Sequence, residues 1–64
     1  MDLYNLKPGD RVRTVDDNIA EILTETEDGS WIKVRYVQAD QDEGLVNTED
    51  LCSEEELLEL LPTA

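Results

Sequence analysis

The stretch Trp31-Ile32-Lys33-Val34-Arg35-Tyr36-Val37 alternates apolar and cationic side chains, and that alternation constrains the fold of the chain more than any other feature. A period of two belongs to a β-strand, whose successive side chains point to opposite faces. Ile32, Val34 and Tyr36 are therefore expected to face an interior, with Lys33 and Arg35 in water. One strand is not stable by itself and needs paired neighbours. The residues upstream supply them. Ile19 to Thr26 is rich in β-branched side chains and reads as a strand. Between the two runs, Glu27-Asp28-Gly29-Ser30 carries the Asp-Gly pair of a tight hairpin. Further upstream, Asp10 to Val15 alternates again, with Arg11 and Arg13 on one side and Val12 on the other. It is bounded by a Lys7-Pro8-Gly9 turn and by the turn residues Asp16-Asp17-Asn18.

The second half carries weaker signals. Residues 38–44 are polar and read as a loop. Gly44 to Asn47 reads as a short fourth strand. Thr48-Glu49-Asp50-Leu51 reads as one tight helical turn capped by the Thr48 hydroxyl, with Leu51 pointing inward. Ser53-Glu54-Glu55-Glu56 has the spacing of a capping box, and Cys52 with Leu57 has that of a hydrophobic staple. A helix over 53–61 follows from these signals, its three glutamates at the positive end of the helix dipole and Pro62 ending it. Leu57, Leu58 and Leu61 are expected to cover an open end of the sheet, leaving Leu60 outside.

These elements describe a mainly β domain over residues 1–64: a small barrel of four to five short antiparallel strands with a short C-terminal α-helix. Pro8-Gly9-Asp10-Arg11-Val12-Arg13, the hairpin from Ile22 to Tyr36 and the closing Thr48-Glu49-Asp50-Leu51 together resemble SH3-like barrels of the KOW and Tudor type. The resemblance spans residues 7–51. It implies a fold and carries no functional residue across, because one fold hosts many functions.

Charge narrows the function. Seventeen acidic residues against five basic ones give a net charge of −12 over 64 residues. Such a surface repels nucleic acid and anionic membranes, so direct nucleic-acid binding is not expected. It also keeps a small protein soluble and favours a monomer, and it would suit a salt-rich cytoplasm. No apolar stretch is long enough to cross a membrane. Met1-Asp2-Leu3-Tyr4 lacks the basic start of a secretory leader. Cys52 is the single cysteine, which fits a reducing, cytoplasmic setting.

Few residues could carry chemistry. Asp40, Asp42 and Glu43 depart from the calcium-loop spacing, since Gly44 comes one residue early and Leu51 stands where the bidentate glutamate belongs. One cysteine and no histidine cannot build a zinc site or an activated thiol nucleophile. The glycines are too scattered for a phosphate loop. No catalytic residue, metal or cofactor is expected. The candidate binding residues are Trp31 with Arg11, Arg13, Lys33 and Arg35. The bland role for these cations is cross-strand pairing with Glu21 and Glu25 on the strand between them, worth about 0.2–1 kcal/mol each. The functional role is a small basic strip framed by acid, with Trp31 beside it, that contacts an acidic partner or an anion.

The reading that follows is a non-enzymatic, acidic protein-interaction module, with the rim around Trp31 and the 38–44 loop as its contact surface. The Leu60 region is where a second copy would dock. The alternative is a nucleic-acid mimic that occupies the basic groove of a DNA- or RNA-binding protein. It requires Asp40, Asp42, Glu43, Glu49, Asp50 and Glu54 to Glu56 to form one continuous band that copies phosphate spacing.

Overall fold

The computed structural model describes residues 1–62. Five strands form one antiparallel sheet: β1 (Arg11–Thr14), β2 (Ile19–Ile22), β3 (Trp31–Gln38), β4 (Glu49–Ser53) and β5 (Leu57–Leu61). Their order across the sheet is β4-β3-β2-β1-β5. The sheet is open: β4 and β5 are its two edges, and among the described residues no ladder joins them. Three short 3₁₀ turns, Leu3–Asn5, Glu43–Leu45 and Glu54–Glu56, complete the regular structure, and the described residues contain no α-helix.

The β1-β2-β3 meander follows the alternation in the sequence, except that β2 ends at Ile22 and not at Thr26. Val12, Ala20, Ile22, Ile32 and Val34 are fully buried on the inward face. Tyr36 packs half-buried against them. Lys33 is exposed and Arg35 half-exposed on the other face. The β1–β2 turn closes as its Asp-Asp-Asn chemistry suggests: Asp17 takes a left-handed φ of 63°, and the Thr14 N–H donates to the Asn18 carbonyl at 2.8 Å.

The second half differs from the sequence expectation in each element. Gly44–Asn47 is not a strand; Glu43–Leu45 forms a 3₁₀ turn, with the Asp42 carboxylate accepting from the Gly44 N–H. Glu49–Ser53 is not a helical turn but β4, paired with β3 from Arg35↔Glu49 to Trp31↔Ser53. Cys52 therefore faces the core, and Leu51, expected inside, lies outside.

The helix expected over 53–61 is absent. Glu54–Glu56 makes a single 3₁₀ turn, and Leu57–Leu61 runs as β5 against β1. The capping signal is local and partly kept, since the Ser53 N–H donates to the Glu56 carboxylate at 3.3 Å. It starts a turn without prolonging it. Two terms decide the rest. An eight-residue helix is unstable in isolation. The backbone groups of Arg11 and Arg13 would meanwhile be left unpaired at the edge of β1, and strand pairing satisfies them. A bulge between Arg13 and Thr14 lets Leu57 reach the core while Glu59 returns to the outer face. Leu57 is thus the one buried leucine of the tail. Leu58 is exposed, contrary to expectation, whereas Leu60 is exposed as expected.

The cover expected from the tail comes instead from the N-terminus. Leu3 and Leu6, three residues apart, sit at either end of a 3₁₀ turn that the Asp2 carboxylate caps through the Tyr4 N–H. Both leucines are fully buried among Val12, Ile22, Ile32 and Leu57.

Among the described residues, thirteen side-chain carboxylates make no ion pair with the five cations, so mutual repulsion works against the folded state. Added salt is expected to stabilise the protein. If about 1 M KCl, with a Debye length near 3 Å, returns ~1 kcal/mol, the thermal midpoint rises by about 4–8 °C. Circular-dichroism melts at low and high KCl measure this; an unchanged or lower midpoint refutes it.

Candidate functional site

Trp31 opens β3 with 52% of its surface exposed. It is presented by the loop from β2, which is larger than a two-residue Asp-Gly hairpin. The Thr26 hydroxyl organises this loop: it donates to the Trp31 carbonyl at 2.7 Å and accepts from the Gly29 N–H at 3.0 Å. The Asp28 carboxylate accepts from the Ser30 N–H at 2.9 Å. Gly29 has a φ of 80°, and a Cβ there would stand 2.7 Å from the Tyr4 ring. Only glycine meets both demands. The loop is therefore held in one shape by the Thr26 hydroxyl and the Tyr4 ring.

Two hollows flank the indole. One, of about 450 Å³, is lined by Trp31, Lys33, Leu51, Glu25, Glu27 and Asp28. The other, of about 430 Å³, is lined by Trp31, Gly29, Ser30, Ser53, Glu54 and Glu55. Trp31 thus stands between two sets of carboxylates, one from the β2–β3 loop and one from the turn after β4. Leu51 is 57% exposed beside it. It lies opposite Lys33 in the β3–β4 ladder, whose aliphatic stem extends the apolar surface.

The four cations lie on the outer face of β1 and β3. Three are held by carboxylates: Lys33 by Glu49 at 3.2 Å, Arg35 by Glu21 at 3.6 Å, and Arg13 by Glu59 at 2.9 Å and Asp17 at 3.0 Å. The Glu59 and Asp17 hydrogen bonds raise the Arg13 pKa above its ordinary value. Arg11 makes no ion pair among the described residues and lies opposite Glu21. The register places Arg11, Glu21, Arg35 and Glu49 in one row of alternating charge across four strands. Glu21 pairs as its strand position suggests, whereas Glu25 turns to the hollow at Trp31. The 38–44 loop follows the far end of β3. The seven steps from Trp31 to Gln38 at about 3.3 Å each separate it from Trp31 by roughly 23 Å, so the two do not form one rim.

Leu51, Glu54 and Glu55 are the members of this site that sequence reasoning missed. They join Trp31 only through the β3–β4 pairing, and a helix at 53–61 would have carried the two glutamates away. The available signal was the apolar position of Cys52, which fixes the inward face of Glu49–Ser53 and so turns Leu51 out.

On the inner face, the Tyr36 hydroxyl donates to Asp50 at 3.1 Å and lies 3.9 Å from the Cys52 sulfur. Cys52 is fully buried. Burial pushes its thiol up from an ordinary value near 9 to about 11; the Tyr36 hydroxyl opposes the shift, and Glu56 and Asp50 add to it. Burial likewise raises the Tyr36 phenol, with help from Cys52 and Asp50. Since the thiolate is the reactive form, the folded protein holds Cys52 inert at neutral pH.

The sign of the pH effect follows. An unfolded thiol ionises near its ordinary value, whereas the folded one keeps its proton to about pH 11. The thiol's contribution to stability is fully present below about pH 9 and is lost as pH climbs toward 11. Tyr36 acts in the same direction. Urea midpoints are expected to fall steadily across that window, and Cys52→Ala to flatten the fall; a flat or rising wild-type profile refutes the assignment.

Compared with known proteins, the chain matches no family model, no curated protein and no solved structure.

Proposed function

We propose that this protein is a non-enzymatic interaction module that docks a basic segment of a protein partner on Trp31. One observation carries the reading: an exposed tryptophan lies between two carboxylate-lined hollows, with Leu51 and the Lys33 stem beside it. An indole face attracts an arginine or lysine cation, and exposed tryptophan is enriched at binding hot spots. Glu25, Glu27 and Asp28 on one side and Glu54 and Glu55 on the other complement flanking positive charges. The cations of the outer face are largely neutralised by their own carboxylates, so they act as a scaffold for Trp31 and draw no acidic ligand.

The proposal retains the SH3-like resemblance of residues 7–51, as an open version of that barrel. The single unpaired thiol supports a cytoplasmic setting. The nucleic-acid mimic is less well supported. Its carboxylates would have to run in one band, whereas Glu54 and Glu55 line a hollow at Trp31 and Asp42 lines a different one with Asp16 and Asp17.

Titration of the protein with an arginine-rich peptide, followed by Trp31 fluorescence, tests the reading. Saturable binding that weakens with salt is expected, with none to a glutamate-rich peptide of equal length. An unresponsive Trp31 overturns the reading.

A further inference from the structure

We propose that the Asp50 carboxylate, together with that of Glu56, closes the open edge of β4 to the addition of another strand. An unpaired edge presents its N–H and C=O groups to any extended segment, a second copy of the chain included. The ladder shows which groups of β4 are left over. The Tyr36 N–H donates to the Thr48 carbonyl at 3.0 Å, and the Leu23 N–H donates to the Lys33 carbonyl at 2.9 Å. Tyr36 therefore turns its backbone groups to the β4 side of β3, and Lys33 turns its own to β2. The β3–β4 register runs without a shift from Arg35↔Glu49 to Trp31↔Ser53. By alternation, Val34 and Ile32 bond to Asp50 and Cys52, while Glu49, Leu51 and Ser53 turn their backbone groups to the open edge.

Two of those three donors are already taken, both by carboxylates of the same chain. The Leu51 N–H donates to Asp50 Oδ1 at 2.8 Å, and the Ser53 N–H donates to Glu56 Oε2 at 3.3 Å. The second oxygen of Asp50 accepts from the Tyr36 hydroxyl at 3.1 Å. The carboxylate is thus held between the hydroxyl on the inward face and the backbone at the edge. A strand adding to β4 would have to place its own carbonyl oxygen where Asp50 Oδ1 sits, and the carboxylate would repel that carbonyl. Glu49 has no such cap among the described residues, because its carboxylate is drawn to Lys33 at 3.2 Å. One bonding position is too few to hold a strand. Release of Leu51 would give two consecutive ones, at Glu49 and Leu51.

The cap and the net charge act differently. Repulsion between two copies of charge −12 keeps them apart at low salt and fades as salt rises. A hydrogen bond already made at the edge persists in salt. The two contributions therefore separate in concentrated KCl, where only the cap still keeps strands away from β4.

Two measurements on the full chain test this. In native-state hydrogen exchange, the Leu51 amide is expected to have a protection factor at least about threefold above that of Glu49, the scale of one net hydrogen bond. Equal protection overturns the proposal. Sedimentation equilibrium from about 10 μM to about 1 mM is run in about 1 M KCl, which screens the net charge. Asp50→Ala is expected to self-associate at least about tenfold more tightly than wild type. Asp50→Asn loses the same charge but keeps an oxygen that accepts from the Leu51 N–H, and is expected to behave as wild type. Association of Asp50→Ala that is no tighter than wild type, or that Asp50→Asn matches, overturns the proposal. If Asp50→Ala loses its circular-dichroism spectrum, the exchange of Leu51 in the wild-type protein decides alone.

Discussion

Replacing Ile32 with alanine is expected to cost about 2–5 kcal/mol, the range for deleting the side chain of a fully buried isoleucine. Ile32 is 1% exposed at the centre of the inward face, among Val12, Ile22, Val34 and Cys52. A chain of this length has a total stability of about 3–10 kcal/mol, so the loss takes a large share of it. The size of the core sharpens the effect: among the described residues, nine buried apolar side chains form the cluster, and no disulfide limits the unfolded chain. Leu51→Ala is the control. It removes a similar volume from an exposed site on the other face of β4 and is expected to stay within about 0.5 kcal/mol. Urea denaturation of both variants measures the contrast. Equal losses would mean that the two faces of the sheet are misassigned.

Trp31→Ala is expected to weaken binding of an arginine-rich peptide by about 30-fold, the equivalent of ~2 kcal/mol for truncating a hot-spot aromatic. It should leave stability nearly unchanged, because half of the indole is already in water. Calorimetric titration of wild type and variant gives the binding ratio, and a melt of each gives the stability. Charge reversal at Glu25, Glu27 and Asp28 together should act differently. It is expected to weaken the same peptide strongly at low salt and little at high salt, since exposed charges act through a screened field. A Trp31→Ala variant that binds as well as wild type would place the contact elsewhere. A loss of binding that tracks a loss of folded protein would show the indole to be structural.

The failed helix and the missed half of the site have one origin. Residues 53–61 contain a capping pattern and a leucine-rich run that a helix and an edge strand satisfy equally well over so few positions. Local signals saw Ser53 and Glu56 and extended them into a helix. They could not see the open edge of β1, more than forty residues upstream, whose Arg11 and Arg13 backbone groups draw Leu57–Leu61 into a ladder. The same misreading hid Glu54 and Glu55 from Trp31. Leu51 was misplaced because Asp50, which shares the inward side with Cys52, is polar and exposed; it is accommodated there by the Tyr36 hydroxyl, a contact that spans fourteen residues.

What the sequence determined by itself is the alternating framework: β1, β2 and β3, their inward faces, the turns at Lys7–Asp10 and Asp16–Asn18, the outward cations and the strongly negative surface. Those features rest on periods and turn residues that act within a few positions of one another. Tertiary structure alone decided the fate of residues 44–61, the pairing of Arg13 with Glu59 and of Lys33 with Glu49, and the meeting of Trp31 with Leu51, Glu54 and Glu55. These depend on unpaired backbone groups and on ladders between residues fourteen or more positions apart, where the free energy of pairing outweighs what any short stretch prefers alone.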